Sequence, residues 1–372
     1  MTKCSILMGI YEFGTGGAEV LARNLAIDLR DRGLSIAVMA THGEDGPVSK
    51  LLRQQGIPCV TARSHALNPV SRRIQLYRIF NRFRPSLFHA HHTSLFQYCY
   101  WPARLACAPR TVVTEHTDFE FLRFDIDRES AKFAAAKAHI VTTVHAGMAT
   151  SYRNVTGIDP ARLKVIENGV KTDIFHPAAA NGRLRAQLGM GSDQVLIGFV
   201  GRLHEQKNVN VLLDAMPQVV AADSCARLVV IGDGPEDNYL IQQAERLGVV
   251  DQVTFTGRIE DIPSVLPELD IFVLPSKTEG LSIALLEAMS AGTACIATNV
   301  GANESILEGG AGLLVPPGDS NLLGEAISKL CADKALRETL GRRARQVVKQ
   351  RYEEKRCFDR YLSLFEAQLA RR

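Results

Sequence analysis

An α/β fold of two doubly wound domains in tandem follows from three features of the sequence. Short β-branched runs alternate with amphipathic helical stretches, the pattern of βαβ units and a parallel sheet. The alternation breaks near mid-chain, at Asn168-Gly169, Pro177 and Asn181-Gly182, and then restarts. A single barrel would run through without that pause. The length, 372 residues, suits two domains at about 100–200 residues each.

Ser5–Ile10, Ser35–Ala40, Pro58–Thr61, Leu87–Ala90, Thr111–Thr114 and Ile140–Thr143 read as strands of the first domain, residues 1–172. Amphipathic stretches lie between them, including 17–32 and 128–137. The second domain, 173–350, opens with VLIGFVG at 195–201, a helix over 207–221 and RLVVIGDGP at 227–235. Further strands are expected at 252–256, 270–274, 294–297 and 312–315. After Val315 the chain reads as helix only, ending in a segment 351–372. Ligands of such sheets sit beyond the carboxyl ends of the strands, so the loops there carry the chemistry.

Composition narrows the class. With 46% hydrophobic and 22% charged residues, the chain is neither disordered nor fibrous. The apolar run at 195–201 is far shorter than the ~20 residues that span a bilayer. MTKCSILMGI lacks a signal-peptide apolar region, and the eight cysteines form no C-x-x-C pair. A cytoplasmic protein without a disulfide framework or zinc ribbon is expected.

Charge is uneven: residues 1–172 carry 22 Lys+Arg against 14 Asp+Glu, and 173–372 carry 21 against 26. A basic half points to an anionic partner, a membrane surface or a phosphorylated substrate. The densest basic stretch is 68–85. There Val70, Ile74, Tyr77 and Phe80 follow helical spacing, with Arg72, Arg73, Arg78 and Arg82 largely between them. Such a helix either lies on anionic lipid or packs its apolar row on the core and solvates the basic face. No nucleic-acid partner is expected.

The strand ends hold the candidate residues. Gly14-Thr15-Gly16-Gly17-Ala18-Glu19 follows the first strand and permits close backbone approach at a helix N-terminus. With Glu19 at the third glycine position it is not the dinucleotide fingerprint, and no Gly-Lys-Ser/Thr makes it a Walker loop. GRLHEQKN at 201–208 places Arg202 and Lys207 around a loop that leads into a helix, a pairing suited to a diphosphate or simply two surface cations.

Glu279 and Glu287 flank a helix start near Leu281. An all-helical spacing would put them about 12 Å apart. That is too far for the ~5–9.5 Å carboxylate pair of a glycosidase. They could hold two polyol portions of one long ligand, or Glu279 could merely cap the helix. His89, His91 and His92 crowd one strand end but lack a local Asp, Glu or Cys to complete a metal set. His116, after the next strand, is better placed to touch a ligand or to fill a polar corner.

In order along the chain stand GTGGAE at 14–19, TEHTD at 114–118, NGVKTDIFHP at 168–177, GRLHEQKN at 201–208, VIGDGP at 230–235 and EGLSIALLE at 279–287. On these motifs the sequence resembles glycosyltransferase family 4, retaining GT-B enzymes that use nucleotide-activated sugars. The resemblance implies two facing Rossmann-like domains, with acceptor bound by the first and donor mainly by the second. The C-terminal helix, 352–369, is expected to cross back to the first domain. Arg202 and Lys207, after Gly201, would bind the donor diphosphate, Glu287 the ribose, and Glu279 the transferred sugar. Backbone amides of Gly280, Leu281 and Ser282 would add contacts. Arg258 and Ile259 would lie near the base, His116 would contact the sugar, and Gly16 and Gly17 would admit the substrates. The family often has Lys-Gly where this chain has Lys207-Asn208.

What the resemblance implies is transfer of a hexose from a UDP- or GDP-linked donor to a hydroxyl, with retention, by front-face attack. No metal and no cofactor is expected. The acceptor it favours is a lipid-linked or surface-polysaccharide saccharide, which would bring the protein to the inner face of a membrane. A UDP-sugar epimerase of the same fold, a nicotinamide-dependent oxidoreductase and a non-catalytic nucleotide-sugar-binding protein are the competing readings.

Overall fold

The computed structural model describes residues 4–14, 16–62, 69–117, 119–191 and 194–371. Thr15, Asn68 and Asp118, which belong to stretches singled out above, lie outside them. The chain divides into two compact units, Met1–Asn168 with Cys357–Arg372, and Gly169–Arg356.

The first unit holds a parallel sheet of seven strands: β1 (Ile6–Ile10), β2 (Ile36–Ala40), β3 (Cys59–Thr61), β4 (Leu87–His91), β5 (Arg110–Glu115), β6 (Ile140–Thr143) and β7 (Leu163–Val165). Their order is β3-β2-β1-β4-β5-β6-β7, so the direction of winding reverses between β1 and β4. Ile6 lies opposite both Ile36 and Leu87. Every residue of β1 is buried, as expected for a strand covered on both faces. The strand β7 is absent from the sequence reading. It has three residues, none fully buried, so it carries no apolar run to read.

Helix Gly17–Asp31 presents Leu21, Leu25 and Leu29 to the core at helical spacing. Cys357, Phe358, Tyr361 and Phe365 of helix Glu354–Leu369 join the same cluster. The end of the chain is thereby fixed to this unit. Tyr361 and Thr114 are hydrogen-bonded through their hydroxyls at 3.2 Å, and Arg110 donates to Gln368 at 2.8 Å.

Helix Pro69–Phe83 packs on the core and exposes its basic face, but of the expected apolar row only Phe80 is buried. Its buried residues are Leu76, Ile79, Phe80 and Phe83, whereas Val70, Ile74 and Tyr77 are 65%, 47% and 41% exposed. The row formed by Val70, Ile74 and Tyr77 shares the solvent side with exposed Arg73, Arg78 and Arg82. Two apolar rows with different roles look alike by spacing alone. Among the described residues no helix is long and apolar enough to cross a membrane.

The second unit holds a parallel sheet of six: β8 (Leu196–Val200), β9 (Arg227–Ile231), β10 (Val253–Gly257), β11 (Ile271–Leu274), β12 (Ala294–Thr298) and β13 (Leu313–Val315). Its order, β10-β9-β8-β11-β12-β13, reverses between β8 and β11. Both units are Rossmann-like, and in each the reversal marks where an open sheet takes its ligand.

Candidate active site

The loops after β8 and β11 meet at the reversal of the second sheet. The Gly201 amide donates to the Ile231 carbonyl at 3.0 Å, and the Leu203 amide to Asp233 at 2.9 Å. These bonds carry the chain past β9 into the short 3₁₀ turn Glu205–Lys207. Asn208 then adopts φ 57°, and helix Val209–Ala222 begins. A left-handed residue here accounts for glycine in the family motif, and Asn is among the few side chains that tolerate it. The Asn208 side-chain amide Nδ2 also donates to the Pro275 carbonyl at 3.2 Å, joining the two loops.

Lys207 Nζ donates to Glu279 Oε1 at 2.6 Å, and Ser276 Oγ donates to the same oxygen at 2.6 Å. The two residues assigned by resemblance to diphosphate and sugar therefore hold each other. Glu279 is buried and does not cap the following helix. That role falls to Ser282, whose hydroxyl accepts from the Leu285 amide at 3.4 Å at the start of helix Ile283–Ser290. Because residues 279–282 precede the helix, the all-helical spacing of the two carboxylates does not apply. The loop is braced from β12 and beyond: Thr298 Oγ1 donates to the Ser276 carbonyl at 2.7 Å, and the Ala302 amide to Gly280 at 2.9 Å.

Arg202 is exposed and makes no hydrogen bond or ion pair among the described residues. Arg258 lies 3.6 Å from Asp233, both more than half exposed, and Ile259 beside it is partly buried. Leu281 is buried in the same loop as Gly280.

Glu287 sits one turn into its helix, partly buried and with no hydrogen-bond partner for its carboxyl among the described residues. Burial pushes that carboxyl up to about 8. A raised carboxyl binds its proton in the folded state where the unfolded chain, near 4.5, has lost it, so stability falls as pH rises across that window. Glu287→Gln removes the fall. The variant is expected to gain melting temperature relative to wild type at about pH 8.5 but not at about pH 5. A difference that stays constant with pH would contradict the assignment.

In the first unit the winding reverses between β1 and β4. Gly16 caps helix Gly17–Asp31 there, with Gly17 open: a Cβ on Gly17 would meet nothing within 4 Å. Tyr11 after β1 bonds to Ser94, and its ring lies 5.3 Å from that of His92.

His89 and His91 of β4, and His92 just after it, take three different partners. His89 Nε2 is 2.8 Å from Thr114 Oγ1, His91 Nδ1 is 3.0 Å from His116 Nε2, and His92 Nδ1 is 3.0 Å from Glu115 Oε1. Among the described residues no three His, Cys, Asp or Glu side chains gather to hold a metal ion. His116 is half-buried, and burial first, then the charges of His92 and His91, hold its imidazole well below the usual histidine range. It is neutral at pH 7.

Glu115, which the sequence reading passed over, organises this corner. Its carboxylate accepts from the Thr93 hydroxyl at 2.8 Å, the Thr93 amide at 3.2 Å and the His116 amide at 3.0 Å. Burial pushes it up, but His92 and the Thr93 bonds prevail and hold it at about 2. Its position beside His116 in TEHTD was the only signal available.

The chain is similar to known proteins over most of its length. A model described as "Glycosyl transferases group 1" matches residues 181–347, and one described as "Glycosyltransferase Family 4" matches 15–174. The UDP-Gal:alpha-D-GlcNAc-diphosphoundecaprenol alpha-1,3-galactosyltransferase of Escherichia coli is 27% identical over 79% of each chain. A GDP-mannose-dependent alpha-(1-6)-phosphatidylinositol monomannoside mannosyltransferase of Mycobacterium tuberculosis is 30% identical over 66% of each. Among solved structures, Anabaena HepE in complex with UDP-glucose superposes with a TM-score of 0.87 at 23% identity, over 97% of this chain and 99% of that one. The protein is a glycosyltransferase of the GT-B fold and belongs to glycosyltransferase family 4.

Proposed function

We propose that this enzyme moves a hexose from a UDP- or GDP-linked donor to a hydroxyl acceptor with retention, without a metal ion or other cofactor. The observation that carries the reading is the set of groups at the β8/β11 reversal. Arg202 has no structural partner among the described residues, Lys207 and Glu279 hold each other, and Glu287 offers an unpaired carboxyl. One cation is free for a diphosphate, and a second becomes so when the Lys207–Glu279 bond opens. Glu279 would then take sugar hydroxyls and Glu287 the ribose, with amides of Gly280–Ser282 and the Arg258–Ile259 segment completing the donor site.

Diphosphate departs as Arg202 and Lys207 stabilise its developing charge. The acceptor hydroxyl attacks from the same face, its proton passing to the leaving phosphate, so no enzyme nucleophile is required. The neutral His116 imidazole hydrogen-bonds the sugar, and the open space at Gly17 admits the substrates. The two relatives named above act, by their names, on diphosphoundecaprenol- and phosphatidylinositol-linked saccharides. That supports a lipid-linked or surface-polysaccharide acceptor and work at the cytoplasmic face of a membrane. The exposed row of Val70, Ile74 and Tyr77 among arginines supports contact of segment 68–85 with anionic lipid.

Calorimetric titration with UDP, GDP, ADP and NAD tests the donor site. One nucleoside diphosphate is expected to bind wild type and to lose about tenfold or more in Glu287→Ala, the scale of a buried hydrogen-bonding group left unmatched. Binding of NAD alone would overturn the reading.

A further inference from the structure

A cavity of about 200 Å³ opens in the first unit at the amino ends of β5 and β6, the opposite strand ends from His116. Phe96, Tyr100 and Arg104 of helix Thr93–Ala106 line it, with Thr111, Lys137 and His139. Nothing in the transfer reaction uses these groups.

The cavity is cationic without an acidic counterpart among its lining residues. Arg104 and Lys137 are exposed and make no hydrogen bond or ion pair among the described residues. His139 Nδ1 accepts from the Thr111 amide at 3.0 Å, which leaves the ring proton on Nε2. Burial, then the charges of Arg110, Arg104 and Arg162, pull this imidazole down to about 4, so the field at the site is positive.

Cations in the last turn of a helix often do no more than answer its dipole. Here several carbonyls at the helix ends already have other donors. Arg162 donates to Ala138 at 3.1 Å and also to Ala135, at the end of helix Asp125–Lys137. In the neighbouring helix, Ala103 accepts from the Cys107 and Ala108 amides at 3.1 and 3.0 Å. Arg104 and Lys137 take no part in these bonds. Beside Arg104, Trp101 and Leu105 stand 58% and 73% exposed.

We propose that this cavity binds a phosphate group, with Arg104 and Lys137 pairing its charge and His139 Nε2 donating a hydrogen bond. The phosphate is either a free ion or the headgroup of an anionic amphiphile whose chains lie on Trp101 and Leu105. The two sources present the same oxygens to the same donors.

Trp101 is the chain's sole tryptophan, so its fluorescence reports on the site. Inorganic phosphate at constant ionic strength and vesicles of phosphatidylcholine with or without phosphatidic acid are titrated into wild type and Arg104→Ala/Lys137→Ala. Calorimetry alongside detects binding that leaves Trp101 silent. Wild type is expected to saturate with phosphate, with phosphatidic acid vesicles or with both, and the double variant to bind about tenfold or more weakly at unchanged melting temperature. Saturation with phosphate alone assigns a free ion, and with phosphatidic acid vesicles alone a headgroup. Binding of neither overturns the proposal, as does an unchanged affinity in the double variant. Vesicle binding that survives in the double variant but is lost in Arg73→Ala/Arg78→Ala assigns the charge dependence to segment 68–85, and likewise overturns it.

Discussion

Arg202→Ala is expected to slow sugar transfer by about 100- to 1,000-fold at saturating donor, the scale for removing one donor to a developing oxyanion. The melting temperature should not move. Arg202 is exposed and bonded to nothing among the described residues, so its removal deletes a charge without breaking a contact. Lys207→Ala provides the contrast. It removes a cation and also strips the buried Glu279 carboxylate of a 2.6 Å partner, so it should cost stability as well as rate. If Arg202 acts on the departing diphosphate, its loss lowers kcat more than it raises KM, and Arg202→Lys restores part of the rate as a point charge without the planar fork. Near-wild-type turnover in Arg202→Ala would remove this residue from the reaction. A fall in melting temperature matching that of Lys207→Ala would instead give it a structural role.

Much of the fold was legible because buried parallel strands write continuous apolar runs. The boundaries of β8, β11 and β12 follow from VLIGFV, IFVL and ACIAT within a residue or two. What escaped had no such run. β7 is three residues with Lys164 at its centre, held by pairing with β6 rather than by burial. In helix Pro69–Phe83 the spacing of Val70, Ile74 and Tyr77 is as regular as that of Leu76, Ile79 and Phe83, and only the packing says which row is inside.

At the candidate site, the residue types and their strand ends could be read, but their partners could not. Lys207 and Glu279 are 72 positions apart, and their bond depends on β8 and β11 lying side by side. The partners of Glu115 were hidden for the same reason. Its partners His92 and Thr93 arrive from the adjacent strand end, and spacing along the chain carries no record of that pairing.

Gly301→Ala should remove most activity while leaving the fold in place. Gly301 has φ 56°, and a Cβ there would overlap the carbonyl oxygen of Glu279 and press on that of Gly280. The left-handed backbone alone costs alanine about 1–2 kcal/mol. The overlap is with main chain, which cannot rotate away, so the Glu279–Gly280 peptide must shift. That shift acts on the Glu279 carboxylate, held by Lys207 and Ser276 at 2.6 Å each, and on the Gly280 carbonyl that receives the Ala302 amide. A displacement of about 1 Å in such a site is enough to cost about 100-fold in rate. Gly318→Ala separates the two causes. Gly318 has φ 81°, and a Cβ there meets nothing within 4 Å, so it bears a similar backbone cost without the collision. Melting temperatures and steady-state transfer rates of the two variants are the measurement. Gly301→Ala, which adds the collision, should lose more stability than Gly318→Ala while still folding, and it alone should lose transfer. Equal activity in the two would mean that the Glu279 loop does not set the rate.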